Sequence, residues 1–537
     1  MGSVPTISEQ AYSLGQANTI YYYAFRAVCT FILFSLGVLL LRKHKKSNVE
    51  TLSVSNKRLP GPGHHIFGGI ANMLALSNTK IFLKVMESWC SKYGPVFEGV
   101  LGTKRVIMIN SPEYVQKLLG SKDSNYFDKG FIYEPFKPFW NDGLIISTGA
   151  KWKHRRKLLD KHIFSFRTLT SNMQIFNDEA DRLVDSLRGT NCETGVKISH
   201  LLKTATLNAI IKATSGKLVA ELEPEDAGKI SFTEMVDMAK PLITKRMTNP
   251  WLLIEPIWQM HPLSKVQKFI SKMASVQIRK AIDESEENNK VSLKQDLLAE
   301  GVPVEGILEE TVTLLSAGYE TTEGALQFLL FLLALHPNHQ ELCREEIDSL
   351  PGNGDDNIDY RDLNKLKYLE MCINETLRLF PVVFFIMRKL KAPLRLGNPF
   401  VKHLFNFIKL LISKMISLLF LEDDLELSAG TEVAIFMPGI HKNPEIYPNP
   451  NEFIPERFSQ EEIQRRHKFS FIPFSAGPRK CIGYKFAIME MMCLTAKLLR
   501  HFVISTMDKM EDIIVLPHVT LTLEKPINFI FEKRNII

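Results

Sequence analysis

The sequence predicts a mainly α-helical protein with small β-sheets, built as one large domain behind an N-terminal membrane-spanning helix. Three observations carry this. Apolar residues recur with helical period from about residue 150 to 350; short apolar runs with Gly/Pro punctuation, such as Val106–Ile109, flank that region; and Tyr21–Leu41 is a predominantly apolar stretch. A chain of 537 residues would by default divide into several domains of about 150 residues each, yet no internal repeat and no Ser/Gly linker follows residue 63. Residues 64–537 are therefore read as a single unit. With 45% hydrophobic and 23% charged residues, the composition excludes a wholly disordered, collagenous or coiled-coil chain.

Taken in order, the first element is the apolar run. Ala27–Leu41 has no charge and at 1.5 Å per residue is marginal for a membrane core of about 30 Å. Tyr21–Phe25 make the length sufficient, and Arg26 lies near one end where its guanidinium can reach the interface. Arg42-Lys43-His44-Lys45-Lys46 follow, and the positive-inside rule keeps such a cluster cytosolic. Residues 1–46 thus read as an uncleaved anchor with the N-terminus outside and the body in the cytosol. Residues 47–63 end in Leu59-Pro60-Gly61-Pro62-Gly63, a stiff joint that cannot continue a helix.

Charge supports this layout. Residues 1–60 hold seven Lys/Arg against Glu9 and Glu50, a net of +5, so of the total +7 only +2 is left for the rest of the chain. A broad basic face for nucleic acid is therefore not expected.

Within the body, short strands among helices are predicted to about residue 125, and Glu309–Leu335 is apolar nearly all round, which places that helix in the interior. Short strands return near Arg388, a last long helix runs from Gly483 to His501, and a final β segment closes the chain. The seven cysteines (29, 90, 192, 343, 372, 481, 493) form no C-x-x-C pair and fit neither a disulfide framework nor a zinc site.

One cysteine has unusual surroundings. In Phe474-Ser-Ala-Gly477-Pro-Arg479-Lys-Cys481-Ile-Gly483 the glycines let backbone approach a bulky group, and Cys481 precedes a helix whose positive end favours thiolate. Arg479 adds a cation suited to a carboxylate. This stretch resembles the F-x-x-G-x-R-x-C-x-G haem signature of the cytochrome P450 monooxygenases, with every position filled. The resemblance implies the cytochrome P450 fold, haem b (iron protoporphyrin IX) as cofactor, and Cys481 as the metal ligand, with Phe474 and Gly483 also at the cofactor.

Other motifs follow in family order. Glu375-Thr-Leu-Arg378 resembles the E-x-x-R pair, worth about 0.2–0.5 kcal/mol if merely an exposed helical pair, and Arg457 of Pro455-Glu-Arg-Phe458 resembles the third member of a Glu-Arg-Arg network with a structural role. Ala317-Gly-Tyr-Glu320-Thr321-Thr322 resembles the oxygen-binding segment, in which Gly318 would loosen the helix and Thr321 and Glu320 would serve proton delivery. Trp152 and Arg156, four residues apart on one helix face, resemble a propionate-binding pair; Arg388 and Arg479 resemble the other propionate arginines. Lys151, Lys153, Arg155, Lys157, Lys480 and Lys485 would then frame the thiolate side and steer an acidic electron donor. Phe131, Phe136, Phe139 and Trp140 are candidates for an apolar entrance.

The resemblance spans nearly everything from Pro60 onward and favours the family-four branch, whose members oxidise fatty acids, hydrocarbons and related apolar molecules. It implies insertion of one atom of O2 into an apolar substrate, electrons from NADPH through a flavoprotein (NADPH-cytochrome P450 reductase, with cytochrome b5 as a further partner), contact with membrane lipid, no nucleic acid, and a place in the endoplasmic reticulum membrane. One position departs from the branch: Ala317 stands where a Glu often forms an ester with haem, so that covalent link is excluded. A peroxide-rearranging enzyme on the same fold is the alternative, disfavoured by the presence of Glu320 and Thr321. A non-catalytic or misfolded haem binder is the other.

The last alternative rests on residues 399–421, which interrupt the family pattern after Arg388. Phe400–Leu421 has 15 apolar residues of 22, with Lys402, Asn406, Lys409, Ser413 and Ser417 in one narrow stripe, as in an amphipathic helix able to lie on a membrane. Yet 20 of the 22 are Phe, Leu, Ile, Met, Lys, Asn or Ser, the residue types that an AT-rich non-coding stretch would encode. Translated intron is the favoured reading.

Overall fold

The computed structural model describes residues 59–62, 66–101, 104–189, 195–214, 230–284, 293–350, 356–397 and 425–534. The anchor at 1–46, most of the joint and the apolar segment 399–421 lie outside the described residues. Among the described residues no helix is long and apolar enough to cross a membrane.

Twelve described helices have eight or more residues: α1 (Ile66–Ser77), α2 (Thr79–Tyr93), α3 (Pro112–Leu119), α4 (Gly149–His162), α5 (Met173–Arg188), α6 (Ser199–Thr214), α7 (Phe232–Thr248), α8 (Pro262–Glu284), α9 (Val304–Leu335), α10 (Pro337–Asp348), α11 (Lys367–Leu379) and α12 (Tyr484–His501). Local chemistry sets several of their starts. Ser231 and Glu234 form a reciprocal capping box ahead of α7, and Ser111 followed by Pro112 opens α3, each satisfying N–H groups that the first helical turn leaves unpaired.

Helix α9 is the axis of the core: 24 of its 32 residues are buried, polar ones included. It begins five residues before the Glu309 expected from apolar periodicity, because Val304–Leu308 join the helix through the polar Glu305 and Gly306. Its main neighbour is α6. Gly318 permits that contact, since a Cβ there would lie 2.9 Å from Ile210 Cγ1. The helix assignment is continuous through Gly318, and this glycine allows the close packing of α9 on α6. Helices α5, α6, α9, α11 and α12 share one large apolar cluster.

Four strands make the principal sheet, in the order β1 (Val96–Leu101), β2 (Lys104–Ile109), β6 (Glu432–Phe436), β3 (Phe385–Lys389). The β2–β6 pair is parallel and the other two are antiparallel. Three two-stranded pairs complete the β structure: β4 (Leu394–Gly397) with β5 (Leu425–Leu427), β7 (Phe502–Thr506) with β10 (Phe529–Lys533), and β8 (Val515–Pro517) with β9 (Leu521–Leu523). Mainly α with small sheets is thus the observed architecture.

The described end of the Pro/Gly joint is docked against this sheet. Glu98 N–H donates to Pro60 O at 2.8 Å, and a Cβ at Gly61 would lie 1.7 Å from Glu98 O, a distance only glycine allows.

Candidate active site

The cysteine loop is built by its backbone. Cys481 N–H donates to Phe474 O at 2.9 Å and Lys480 N–H to Gly477 O at 3.0 Å, which closes the loop on itself. Gly477 sits at φ +68, where a Cβ would be 1.6 Å from Leu119 O at the end of α3. Gly483 caps α12 and faces Phe164 at ordinary contact distance. The result is an exposed Cys481 side chain on the wall of a cavity with about 1980 Å³ of atom-free space, its mouth included.

Although the side chain opens onto the cavity, the protein around it desolvates the thiol and raises it above the ordinary value, against the opposing pull of the Gly483 N–H at the start of α12, Arg156 and Lys480. A metal bound there would deprotonate the thiol outright.

The cavity also gathers cations. Lys129, Arg156, Arg388 and Arg479 all line it, with Trp152 among them. An isolated β-bridge sets Lys129 beside Arg388. Burial, then Arg388 and Arg479, hold Lys129 well below the usual ammonium range. Arg479 is pulled down to about 9 by burial and then by Arg388. Its guanidinium donates to Phe127 O (3.2 Å), Leu144 O (3.2 Å) and Ser147 O (2.5 Å) and lies 4.2 Å over the Trp152 ring. Arg156 donates to Lys480 O at 2.6 Å, tying α4 to the cysteine loop.

Among the described residues, Lys129, Arg388 and Arg479 make no ion pair, and Asp128, the acid that acts on Arg479, is engaged by Lys391 at 2.7 Å. Clustered buried cations without a counter-ion call for an anionic ligand. A haem, with two propionates and an iron for Cys481, fits these residues.

On α9, Ala317, Gly318, Glu320 and Thr321 line the same cavity. Thr321 donates its hydroxyl to Ala317 O at 2.8 Å, one turn back. Glu320 is 6% exposed and accepts from the Thr520 hydroxyl at 2.6 Å, with Lys240 of α7 3.3 Å from the same oxygen. Lys240 in turn meets Asp237, which is 40% exposed, at 2.7 Å. A polar chain thus runs from solvent to the cavity. Phe136 and Trp140 line the cavity and stack at 4.8 Å, whereas Phe131 and Phe139 pack in neighbouring clusters away from it.

The structural network lies apart from the cavity. Glu375 and Arg378, both fully buried, meet through two bonds of 2.6 and 2.8 Å. Arg378 also donates to His441 O, Pro450 O and Glu452 O, and Arg457 lies 3.3 Å from Glu375. All three predicted members come together, with the backbone of 441–454 threaded through them.

The basic set needs correction. Lys153, Lys157 and Lys485 are exposed, but Arg155 is 7% exposed and turned inward toward Glu310, while Lys151 is paired with Asp142 and Glu309. Both point at α9 because α4 crosses its N-terminal turns. Lys129 was absent from the sequence reading, since it becomes a neighbour of Arg388 only through a bridge between distant segments.

The family model described as Cytochrome P450 matches residues 59–403 and 404–531, two parts that meet inside the apolar segment. The chain belongs to the cytochrome P450 family. Among similar proteins, cytochrome P450 4c21 of Blattella germanica is 29% identical over 474 residues, 84% of this chain and 88% of the relative. Cytochrome P450 4V2 of Mus musculus is 28% identical, with 78% of each chain covered, and cytochrome P450 4c3 of Drosophila melanogaster is 27% identical, with 92% of each covered. The chain is thus a family-four cytochrome P450 monooxygenase, and the family implies haem.

Proposed function

We propose that this monooxygenase is anchored in the endoplasmic reticulum membrane and oxidises an apolar small molecule: a fatty acid, hydrocarbon, hormone-like lipid or xenobiotic. In this reading Cys481 is the sole protein ligand to the haem iron. Arg388, Arg479, Trp152 and Arg156 hold the propionates with the help of Lys129, and Phe474 and Gly483 shape the loop around the sulfur. Glu375, Arg378 and Arg457 hold the region behind the haem. The observation that carries the reading is the meeting, in one apolar-walled cavity, of the Cys481 side chain, a buried cation cluster without a counter-ion, and the Glu320–Thr321 segment.

Bound haem would supply the redox chemistry, and a thiolate at Cys481 would add the electron push that favours O–O cleavage. Overall, a substrate C–H, one O2, two electrons and two protons give an alcohol and one water. The electrons come from NADPH through a reductase flavoprotein, with cytochrome b5 as a further donor, docking near Lys153, Lys157, Lys480 and Lys485 by charge complementarity. Thr321 and Glu320 move the protons, fed along Asp237 and Lys240. Phe136, Trp140, Phe384 and Phe385 exclude water from the substrate end.

A carbon monoxide difference spectrum of reduced membranes tests this. The parent should give the red-shifted Soret band of thiolate-ligated haem, and Cys481→Ser should lose it. Persistence of that band in Cys481→Ser would refute the ligand assignment.

A further inference from the structure

Two groups lie between α9 and the cation cluster and have no part in the chemistry above. Glu310 is fully buried on α9, and one of its oxygens accepts from Leu144 N–H at 2.9 Å. Its other oxygen faces Arg155 Nε of α4 at 3.8 Å, and among the described residues neither that oxygen nor Arg155 Nε and Nη1 has a hydrogen-bond partner. Leu144 links Glu310 to Arg479: its N–H donates to Glu310, while its carbonyl and, further on, that of Ser147 accept from the Arg479 guanidinium.

The same segment is stitched to α9 at further points. Trp140 Nε1 donates to Ser316 Oγ at 2.6 Å. Gly143 packs so closely that a Cβ would lie 2.2 Å from Thr313 Oγ1. Residues 140–147 are therefore a template laid on α9, and its carbonyls aim Arg479. Of these stitches only Glu310 carries a charge that can change. Among the described residues it is also the anion paired with Arg155, which has a fixed charge and shares a helix with Trp152 and Arg156.

We infer that Glu310, with Arg155, is a positioning residue of the haem cradle: its carboxylate fixes the Leu144 peptide and α4, and through them the arginine that meets a propionate. The inference rests on the haem reading above, which the parent's carbon monoxide spectrum tests separately.

The charge state adds a signature. Burial raises Glu310 from the ordinary 4.5 to about 7, against the Leu144 N–H, Arg155 and Lys151, with Glu309 adding to the rise. On the acid side of that midpoint the carboxyl is neutral, its bond to Leu144 loses charge assistance and Arg155 loses its counter-charge. Haem should be held more tightly on the alkaline side. Global stability moves the other way: a carboxyl raised on folding contributes fully below its unfolded value near 4.5, and that contribution is lost as pH rises through about 7. A merely structural group would shift both readouts together.

The experiment follows transfer of haem from the full-length holoenzyme to excess apomyoglobin across this pH range, with urea unfolding measured in parallel. Glu310→Gln keeps an acceptor for Leu144 but no charge. It should release haem about tenfold faster than the parent on the alkaline side, as is typical when a supporting partner of a metal site is lost, match the parent on the acid side, and show no step near the midpoint. Arg155→Met removes a cation beside Glu310 and should move the parental midpoint upward. An unchanged release rate and pH profile in Glu310→Gln would overturn the inference. So would faster release that only tracks a lower urea midpoint, or an Arg155→Met midpoint that stays in place.

Discussion

Thr321 and Glu320 are held in different ways, and the difference bears on what each can do. The Thr321 hydroxyl bonds the carbonyl of Ala317 on its own helix, a link that a ligand can displace at little cost because a back-bonded hydroxyl contributes weakly. Glu320 is fixed by Thr520 and Lys240 on two other elements, which suits a carboxylate that passes protons on without moving. Thr321→Ala should therefore retain haem and its spectrum. Product formed per NADPH should fall, by up to on the order of a hundredfold, the low end of what positioned proton transfer contributes, with peroxide released in its place. Equal product per NADPH in mutant and parent would refute the role. That Thr321 and Glu320 would share one site was legible in the sequence, because they sit next to each other in one motif and both line the cavity. Lys129, Lys240 and Glu310 were not, since what matters about each is a neighbour more than 70 residues away.

Among elements, α11 illustrates how a local pattern acquires its meaning from tertiary contact. The Glu375–Arg378 spacing would mean little on an exposed helix, but here both side chains are fully buried and the guanidinium is shared among three carbonyls of residues 441–452. Glu375→Ala strands Arg378 and Arg457 without their carboxylate and should cost about 3–5 kcal/mol of stability, typical for a broken buried pair, read as a lower urea midpoint and poor haem loading. The interior character of α9 and the start of α12 were readable from apolar periodicity and from the Gly-rich loop. The packing of Ile210 against Gly318 was not, because a glycine that admits a neighbouring helix and one that opens a turn look alike in sequence. The β4–β5 pair gives a second test. Gly397 lies opposite Leu425 and Leu394 opposite Leu427, so the ladder closes on itself without the residues between. Deleting 400–421 should then leave the ladder intact and raise the yield of haem-loaded protein, since an apolar insertion harms folding through its hydrophobicity and not its length. Lower haem loading or weaker membrane binding after the deletion would make the segment functional, and mature messages that always contain its codons would exclude an intron.

At the scale of the whole molecule, charge and hydrophobicity are distributed unevenly along the chain. The first 60 residues hold +5 of the net +7 and the longest charge-poor apolar run before the domain, while the described body offers no helix fit to cross a membrane. The junction between the two parts is fixed on the body side, where Pro60 bonds Glu98 and Gly61 packs against the same peptide. Removing residues 1–46 takes away the apolar run and its basic flank but leaves this junction, the cysteine loop and the cation cluster untouched. The truncated protein should therefore keep the carbon monoxide spectrum of the parent and lose most of its membrane association, measured as the fraction that pellets after carbonate washing. Loss of the spectrum would mean that the terminal segment supports the haem domain itself. Retention in the pellet would mean a second membrane contact, and two surfaces are then candidates: the segment 399–421, and Ile254, Met260 and Phe269, apolar side chains that are 51%, 77% and 50% exposed. Replacing those three by polar residues in the truncated protein, with and without residues 400–421, would assign the contact to one surface or the other.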